Sequence, residues 1–396
     1  MKTRALVLGA GYRGRAYAAY ASAHPDELEI VGVADPVQAE AIPSAAHWAD
    51  WHEALNANTA AELAIIALPD ALHYEATRAF LERGCHVLVE KPLADDFARS
   101  AELVRLAAKA KRMVMVAHEL RYSPYFAHIK ELVDSGELGE VVSIAQQESV
   151  NFRKFAHSFV RGQLASAKAS SPIVISKCSH DLDLFSWWTK AKCKKVTSFG
   201  STKLFKRENA PQGSTERCES CPLANSCVWS AQSMYLENGE LGYMFADRSR
   251  EAMEELVKSS PYGRCVFKCD NDVPDHQTVA MEFEGGATAT LVMSAFTARN
   301  IRTTRVSLTH GEIIGDGEEL RVVNFANGRT VTIPAVSSNR SRHDGGDFGL
   351  VADTLSVIRR NDAEEFARVS CRALESHRIG FAAEESRLDG GRTVLL

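Results

Sequence analysis

The sequence predicts an α/β protein in which helices wind on a parallel sheet in a first domain and a mostly antiparallel sheet follows in a second. Three observations carry this. Apolar runs of four to six residues alternate with helical patterns through the first 120 residues, the signature of βαβ units. After "HELRYSPYF" the apolar runs lengthen and several alternate with period two, and turns such as "EGGA" separate them, as in antiparallel sheets. At 396 residues and 45% hydrophobic content, the chain can bury one large core or two domain cores.

In the first part the runs are Arg4 to Leu8, Glu29 to Ala34, Leu63 to Leu68, His86 to Val89 and Met113 to Ala117. Between them, "EATRAFLERG" and "FARSAELVRLAAKAKR" place apolar residues on one helical face and charges on the other. The boundary falls near residue 120, giving domains 1–120 and 121–396. In the second, strands are expected at Val141 to Val150, Val279 to Phe283, Ala287 to Met293, Arg302 to Leu308 and Arg321 to Phe325, with closing helices at about 347–360 and 367–388. Residues 201–270 are Cys-rich and aperiodic and read as an insertion within the second domain. There is no internal repeat and no low-complexity segment.

No run of about 18 apolar residues occurs, and "MKTRALVLGA" begins a short strand rather than a signal sequence. A soluble, cytoplasmic protein is expected. The formal net charge of -5 gives no whole-chain footprint for nucleic acid or an anionic membrane.

Gly9-Ala10-Gly11-Tyr12-Arg13-Gly14 is a G-x-G-x-x-G directly after a strand and opening a helix, and Asp35 ends the second strand 21 residues after Gly14. In that context the motif points to a Rossmann dinucleotide-binding domain. Gly9 allows the tight turn, Gly11 lets a pyrophosphate approach the backbone at a helix N-terminus, and Gly14 permits close helix–strand packing. Asp35 would accept hydrogen bonds from the adenosine ribose. No Arg or Lys follows it before residue 45, which favours NAD over NADP.

"CHVLVEKPLA" runs a strand, His86 to Val89, into Glu90-Lys91-Pro92. In a doubly wound sheet ligands sit at the carboxyl ends of the strands, so Lys91 lies where the nicotinamide should be. A Lys beside a pyridinium is disfavoured in its charged form, which suits proton exchange with a substrate hydroxyl.

With "GAGYRG", "VADP", "HVLVEKPLA", "SHDLDLFSWW", "GGDFGL" and "FAAEESR", the chain resembles the Gfo/Idh/MocA oxidoreductases, which include glucose-fructose oxidoreductase and inositol dehydrogenases. The resemblance implies a Rossmann domain followed by an α/β domain with a large open sheet, and a homo-oligomer formed through that sheet. It implies that Lys91 orients substrate and shuttles its proton, that His180 is the active-site His, and that Asp183, three residues on, is an acid of the same motif. Cofactor contacts are expected from Gly9, Gly11, Tyr12, Arg13, Gly14 and Asp35, and from Leu68, His73, Glu90 and Lys91. One departure stands out: many family members carry an Asp four residues before the His, where this chain has Ser176. His180 gains weight as the base.

From Ser149 to His180 the chain carries Arg153, Lys154, Arg161, Lys168 and Lys177 and no Asp or Glu. These cations suggest an anionic substrate group held by some of Arg153, Lys154, Arg161 and Lys177, against a solvated or oligomer-contact surface. Arg121, Tyr122 and His157 are further candidates to line the pocket, as is His343 before the closing helix.

Of nine cysteines, Cys85, Cys178, Cys193 and Cys371 stand apart and read as buried small apolar residues. Cys218-x2-Cys221-x5-Cys227, followed by Cys265 and Cys269, has metal-knuckle spacing. Structural zinc held by Cys218, Cys221, Cys227 and Cys265 or Cys269 is expected, with free thiols or an iron–sulfur cluster as alternatives.

Two enzymatic readings follow. The first is a dehydrogenase moving hydride between NAD and a ring hydroxyl of a sugar or cyclitol. The second, which the resemblance also allows, is an NAD-dependent glycosidase that oxidises, eliminates, hydrates and reduces, for example on sulfoquinovosides or glucuronides. A non-enzymatic NAD sensor ranks last, because Lys91 and His180 remain.

Overall fold

The computed structural model describes residues 2–237, 247–334 and 345–396. Strands β1 (Thr3–Leu8), β2 (Leu28–Ala34), β3 (His47–Trp48), β4 (Leu63–Ile66), β5 (His86–Val89) and β6 (Val114–Val116) form a sheet in the order β3-β2-β1-β4-β5-β6, parallel throughout. Helices α1 (Tyr12–Ala23), α2 (Trp51–Asn56), α3 (His73–Glu82) and α4 (Phe97–Ala110) make the crossovers. Every residue of β4, β5 and β6 is buried, because helices cover both faces of such a sheet. Strand order reverses between β1 and β4, opening a crevice beyond their carboxyl ends.

The second part contributes α5 (Pro124–Asp134), β7 (Val141–Asn151), α6 (Phe152–Phe155), α7 (Ile173–Ser176), α8 (Ser179–Thr189), β8 (Cys193–Ser201) and α9 (Arg250–Ser259). It continues with β9 (His276–Phe283), β10 (Thr288–Thr297), β11 (Ile301–Leu308), β12 (Gly311–Gly315), β13 (Glu319–Asn324), β14 (Thr330–Pro334), α10 (Gly346–Arg360), α11 (Ala363–Leu388) and β15 (Val394–Leu395). Nine strands pair in the order β14-β13-β12-β11-β7-β10-β9-β8-β15. Only β7 and β10 run parallel among these pairs.

Alternation assigns the two faces of this sheet. Gln277, Val279, Met281 and Phe283 of β9 point inward. On the other face one row of register partners runs Phe199, Thr278, Val292, Gln147, Thr303, and Phe199 and Val292 in it are exposed. The Cys-rich segment lies between β8 and β9, which pair directly, so it is an excursion from one hairpin edge.

The boundary near residue 120 separates the two sheets, but the chain does not stay on its own side of it. Leu350, Val351 and Leu355 of α10 pack into the first domain's core with Val7, Tyr17 and Leu28. In α11, Ala373 joins the first domain and Ile379, Ala382 and Ala383 the second. Among the described residues no helix is long and apolar enough to cross a membrane.

Two buried histidines serve this packing in the neutral form. His86 Nδ1 accepts from Met113 N at 3.1 Å, and His377 Nε2, on α11, accepts from Leu93 N at 2.9 Å. Burial pushes both imidazoles down to about 4. Between pH 6.5 and 4 the unfolded chain therefore binds protons that the folded chain refuses, and stability falls as pH drops, by about 1.4 kcal/mol per unit for each His. The thermal midpoint should decline across that window, and His377→Gln, which keeps an acceptor but cannot titrate, should flatten the slope. An unchanged slope would contradict this account.

Candidate active site

The phosphate end is built by close approach. Gly9 has φ +93°, and a Cβ there would strike the carbonyl of Ala67. A Cβ on Gly14 would strike the carbonyl of Gly9, so α1 can lie against β1 only with glycine at that point. Gly11 caps α1 with φ −63°, and nothing lies within 4 Å of where its Cβ would be. This open space at the N-terminus of α1 suits a pyrophosphate. Asp35 accepts from Ala10 N at 2.8 Å, Val37 N at 2.9 Å and Gln38 N at 2.7 Å, which fixes its carboxylate beside the glycine turn.

Two expected cofactor contacts have other partners. His73 is fully buried, with Nδ1 2.6 Å from the Pro92 carbonyl and Nε2 2.8 Å from the Leu68 carbonyl. It ties together the loops after β4 and β5, and no ring nitrogen is left for a cofactor. Arg13 bonds Glu90 at 2.5 Å, Asp347 at 2.8 Å, Tyr17 Oη at 2.6 Å, and Glu119. Although burial opposes its charge, Glu90 and Glu119 raise the Arg13 pKa well above its ordinary value. Against the opposite pull of burial, Arg13 and Lys91 hold Glu90 below the usual carboxylate range.

Beyond Glu90 a cleft of about 310 Å³ opens between the two domains. Its walls carry Tyr12, Arg13, Glu90 and Lys91 from the first domain and Glu119, Lys154, Ser158, Ser176, Lys177, His180 and Arg302 from the linking turn and the second. The Lys91–Pro92 peptide is cis, and Lys91 Nζ donates to the carbonyl of Ser176 at the end of α7. His180, in the first turn of α8 and largely buried, presents Nε2 3.5 Å from Glu119 Oε2. The structure thus brings Lys91 and His180 to one cavity at the carboxyl end of β5. The volume is in the range of small-molecule pockets.

Asp183 lies on the same helix but not on this cavity. It is buried and receives Arg121 Nε at 2.5 Å and Nη2 at 2.7 Å; against burial, Arg121 and His118 hold its carboxyl low. The two side chains pair with each other, and neither is among the residues that line the cleft. Tyr122 donates to Asp353 at 2.7 Å. His157 Nδ1 lies 2.8 Å from Tyr235 Oη and its ring stacks on Tyr262, with burial pushing it down to about 4. Arg161 is 1% exposed and donates to the carbonyls of Arg264 at 2.7 Å and Trp229 at 2.6 Å. Arg153 lies over the Phe152 ring. Of the basic segment, only Lys154 and Lys177 reach the cleft; His343 lies outside the described residues.

Sequence reasoning missed the acids that organise these cations. Lys177 pairs with Glu148 at 2.6 Å, and Arg302 pairs with Glu148 at 2.7 Å and Asp181 at 2.7 Å. Asp181 adjoins His180 and was visible in "SHDLD"; Glu148 and Arg302 come from β7 and β11 and meet only in register.

Residues 3–118 match an oxidoreductase family with an NAD-binding Rossmann fold, and residues 126–314 match the GFO/IDH/MocA C-terminal domain. The chain belongs to the Gfo/Idh/MocA oxidoreductase family. An inositol 2-dehydrogenase of Rhizobium meliloti is 30% identical over 145 residues, 36% of this chain and 43% of that protein. A putative oxidoreductase of Bacillus subtilis is 23% identical over 241 residues, 57% of this chain and 53% of that protein. The chain thus spans about half or less of the length of these curated relatives. A levoglucosan dehydrogenase solved with NADH and levoglucosan superposes with a TM-score of 0.74 at 17% identity, covering 100% of this chain and 99% of that one. A myo-inositol 2-dehydrogenase from Lactobacillus plantarum gives 0.68 at 16%, with 100% of both chains covered. These likenesses show a shared fold. For this Gfo/Idh/MocA protein the open helix terminus at Gly11 fits the dinucleotide that the family's first domain binds.

The cysteine expectation is not met in this family member. Among the described residues no three His, Cys, Asp or Glu side chains are grouped to hold a metal, and all nine cysteines are free. The buried Arg161 stands among them: its Nη2 donates to Cys218 Sγ at 3.7 Å, while Cys269 Sγ donates to the Cys265 carbonyl at 3.3 Å. Burial pushes the Cys227, Cys265 and Cys269 thiols up, while at Cys221, against burial, hydrogen bonds with Thr215 and Leu223 hold the thiol low. Cys371 is exposed rather than buried.

Gly11→Val should test the phosphate end cleanly. Its φ is ordinary and the space is open, so the thermal midpoint should stay within a degree or two, while NADH affinity measured by fluorescence titration should fall about tenfold or more, about 1.4 kcal/mol. Undiminished NADH binding would move the pyrophosphate elsewhere.

Proposed function

We propose that this protein is an NAD-dependent dehydrogenase that oxidises a ring hydroxyl of a sugar or cyclitol to the ketone, or reduces the ketone. The observation that carries the reading is the convergence of Lys91 and His180 on one cleft at the carboxyl end of β5, beside the glycine turn. Bound NAD supplies the hydride acceptor for the carbinol C–H. The chain's own task is the proton: as the ketone forms, the hydroxyl proton passes to Lys91 or His180, and in reduction it returns. Ser176 orients the Lys91 amine through its carbonyl, and Glu119 stands behind His180.

That relatives named inositol 2-dehydrogenase occur in the family supports a polyol substrate. The exposed row across the second sheet, with Phe199 and Val292 uncovered, supports assembly of this chain with copies of itself. No observation favours the glycosidase over the dehydrogenase, and the assay below separates them.

The test uses NAD+ with free sugars, cyclitols and nitrophenyl glycosides, following NADH absorbance and nitrophenol release together. NADH accumulating from free polyols, without aglycone release, is the expected outcome. Repeated aglycone release with no net NADH would overturn it in favour of the glycosidase. Lys91→Met should lower kcat by about 10²–10⁴-fold while NADH affinity changes little; retained turnover would remove Lys91 from the proton path.

A further inference from the structure

We propose that Lys154 recognises an oxyanion, a carboxylate or sulfonate, carried by the ring substrate. The inference rests on the dehydrogenase reading of the same cleft and names the substrate class. Its basis is which cations of the cleft are already committed.

Arg13 is bound by Glu90, Glu119 and Asp347. Arg302 is bound by Asp181 and Glu148, and Lys177 by Glu148. Lys91 donates to the Ser176 carbonyl. Lys154 lines the same cleft, yet among the described residues its ammonium makes no hydrogen bond and no ion pair. It is half-buried, so the charge is held partly out of water with only the field of Glu148, which Lys177 and Arg302 already pair, to offset it, a costly arrangement unless a ligand completes it.

The residue is also held in place. Asn151 caps the turn, its Oδ1 accepting from Arg153 N at 2.9 Å and Lys154 N at 3.2 Å. Its Nδ2 donates to the Ala298 carbonyl at 2.8 Å. The backbone of Lys154 is thereby pinned to the β10–β11 turn, and binding an anion costs little ordering there.

The charged and titratable groups around Lys154 are Lys177 after α7, Glu148 on β7, Arg302 on β11, Lys91 after β5 and His157 in the turn that follows α6. Burial first, and then Lys177, push its ammonium down to about 8, partly countered by Glu148. Below about pH 8 Lys154 is a cation and can pair with an oxyanion; above it the charge, and the pairing, are lost.

Matched ring substrates test this: D-glucuronate and 6-deoxy-6-sulfoglucose against D-glucose, and D-galacturonate against D-galactose, with NAD+ and wild type or Lys154→Gln. The expected result is a kcat/KM preference for the anion of about ten- to hundredfold in wild type, which Lys154→Gln abolishes by raising KM for the anionic member of each pair more than for the neutral one. Above pH 8 the wild-type preference should decay, and Lys154→Arg should keep it to higher pH. A preference that survives Lys154→Gln, or its absence in wild type, overturns the proposal. A second readout needs no turnover: amine-reactive labelling of Lys154, followed by mass spectrometry, should be slowed by the anionic sugars and by inorganic sulfate but not by glucose. Labelling indifferent to anions overturns the proposal even in an active dehydrogenase. Anion-sensitive labelling without oxidation of any sugar supports it and overturns the dehydrogenase reading instead.

Discussion

The cleft depends on one buried charge, the guanidinium of Arg13. It sits on α1, but its partners lie after β5, in the turn following β6 and at the start of α10. Glu90, Glu119 and Asp347 are 8%, 1% and 1% exposed, and three such carboxylates would repel one another without the cation between them. Removing one partner from a buried network costs about 3–5 kcal/mol, chiefly because charges are left uncompensated. The Tyr17 hydroxyl, with one proton to give, lies 2.5 Å from Glu90 and 2.8 Å from Glu119 and donates to one of the two. The second position of the x-x in this glycine motif therefore closes the seam between the domains, where sequence reasoning had given it to the cofactor. Glu119 is also the carboxylate behind His180, so the seam and the proton-handling group share one acid.

A second network answers it across the cleft. Arg302, Glu148, Asp181 and Lys177 lock β11, β7 and the start of α8 together. Burial raises the Asp181 pKa, and Arg302 and Lys177 counter it; Asp181 and Glu148 in turn hold the Arg302 charge firmly on. Each acid of the two networks has a cation beside it, and Lys177 and Lys91 have partners of their own, so it is Lys154 that faces whatever enters. Ser176 fits this economy of charge. A carbonyl at that point orients the Lys91 amine without adding another anion.

Much of the fold was legible because apolar periodicity reports burial. The five first-domain strands that were expected are found within a residue or two of their expected ends, and β5 at both ends. Five strands escaped detection: β8, "CKKVTSFGS", carries two lysines, β14, "TVTIP", is exposed along most of its length, β12 is five residues framed by glycines, and β3 and β15, at two residues each, are too short to show a period. The glycine turn, Asp35, Lys91 and His180 were legible because each has a local signature. The basic segment misled for a physical reason. Across α6 and the wide turns of Ala156–Arg161, successive cations point to different sides, so Lys154 reaches the cleft while Arg161, seven residues on, is buried among backbone carbonyls. Proximity in sequence was read as a common destination. The acids that sort these cations flank the segment, Glu148 on β7 and Asp181 on α8, but they are joined by Arg302 on β11, more than a hundred residues further along the chain, and no local pattern announces that meeting.

Why α11 should be 26 residues long follows from the site it serves. His377 donates from Nδ1 to the Ala373 carbonyl at 2.7 Å, which leaves Nε2 to accept from Leu93 N, two residues past Lys91. One turn further, Gly380 lets the helix press against Ile175 and Leu182, the neighbours of Ser176 and His180. A Cβ at that point would strike the Ile175 side chain. The same helix therefore fixes the backbone carrying Lys91, through a neutral histidine, and the backbone supplying its carbonyl partner, through a missing side chain. Because α11 packs on both domains, the distance between those two backbones is set by a single rigid element. The Lys91 contact to Ser176 is thus determined by helix packing some distance from the reacting groups, with no carboxylate needed to draw the amine into place.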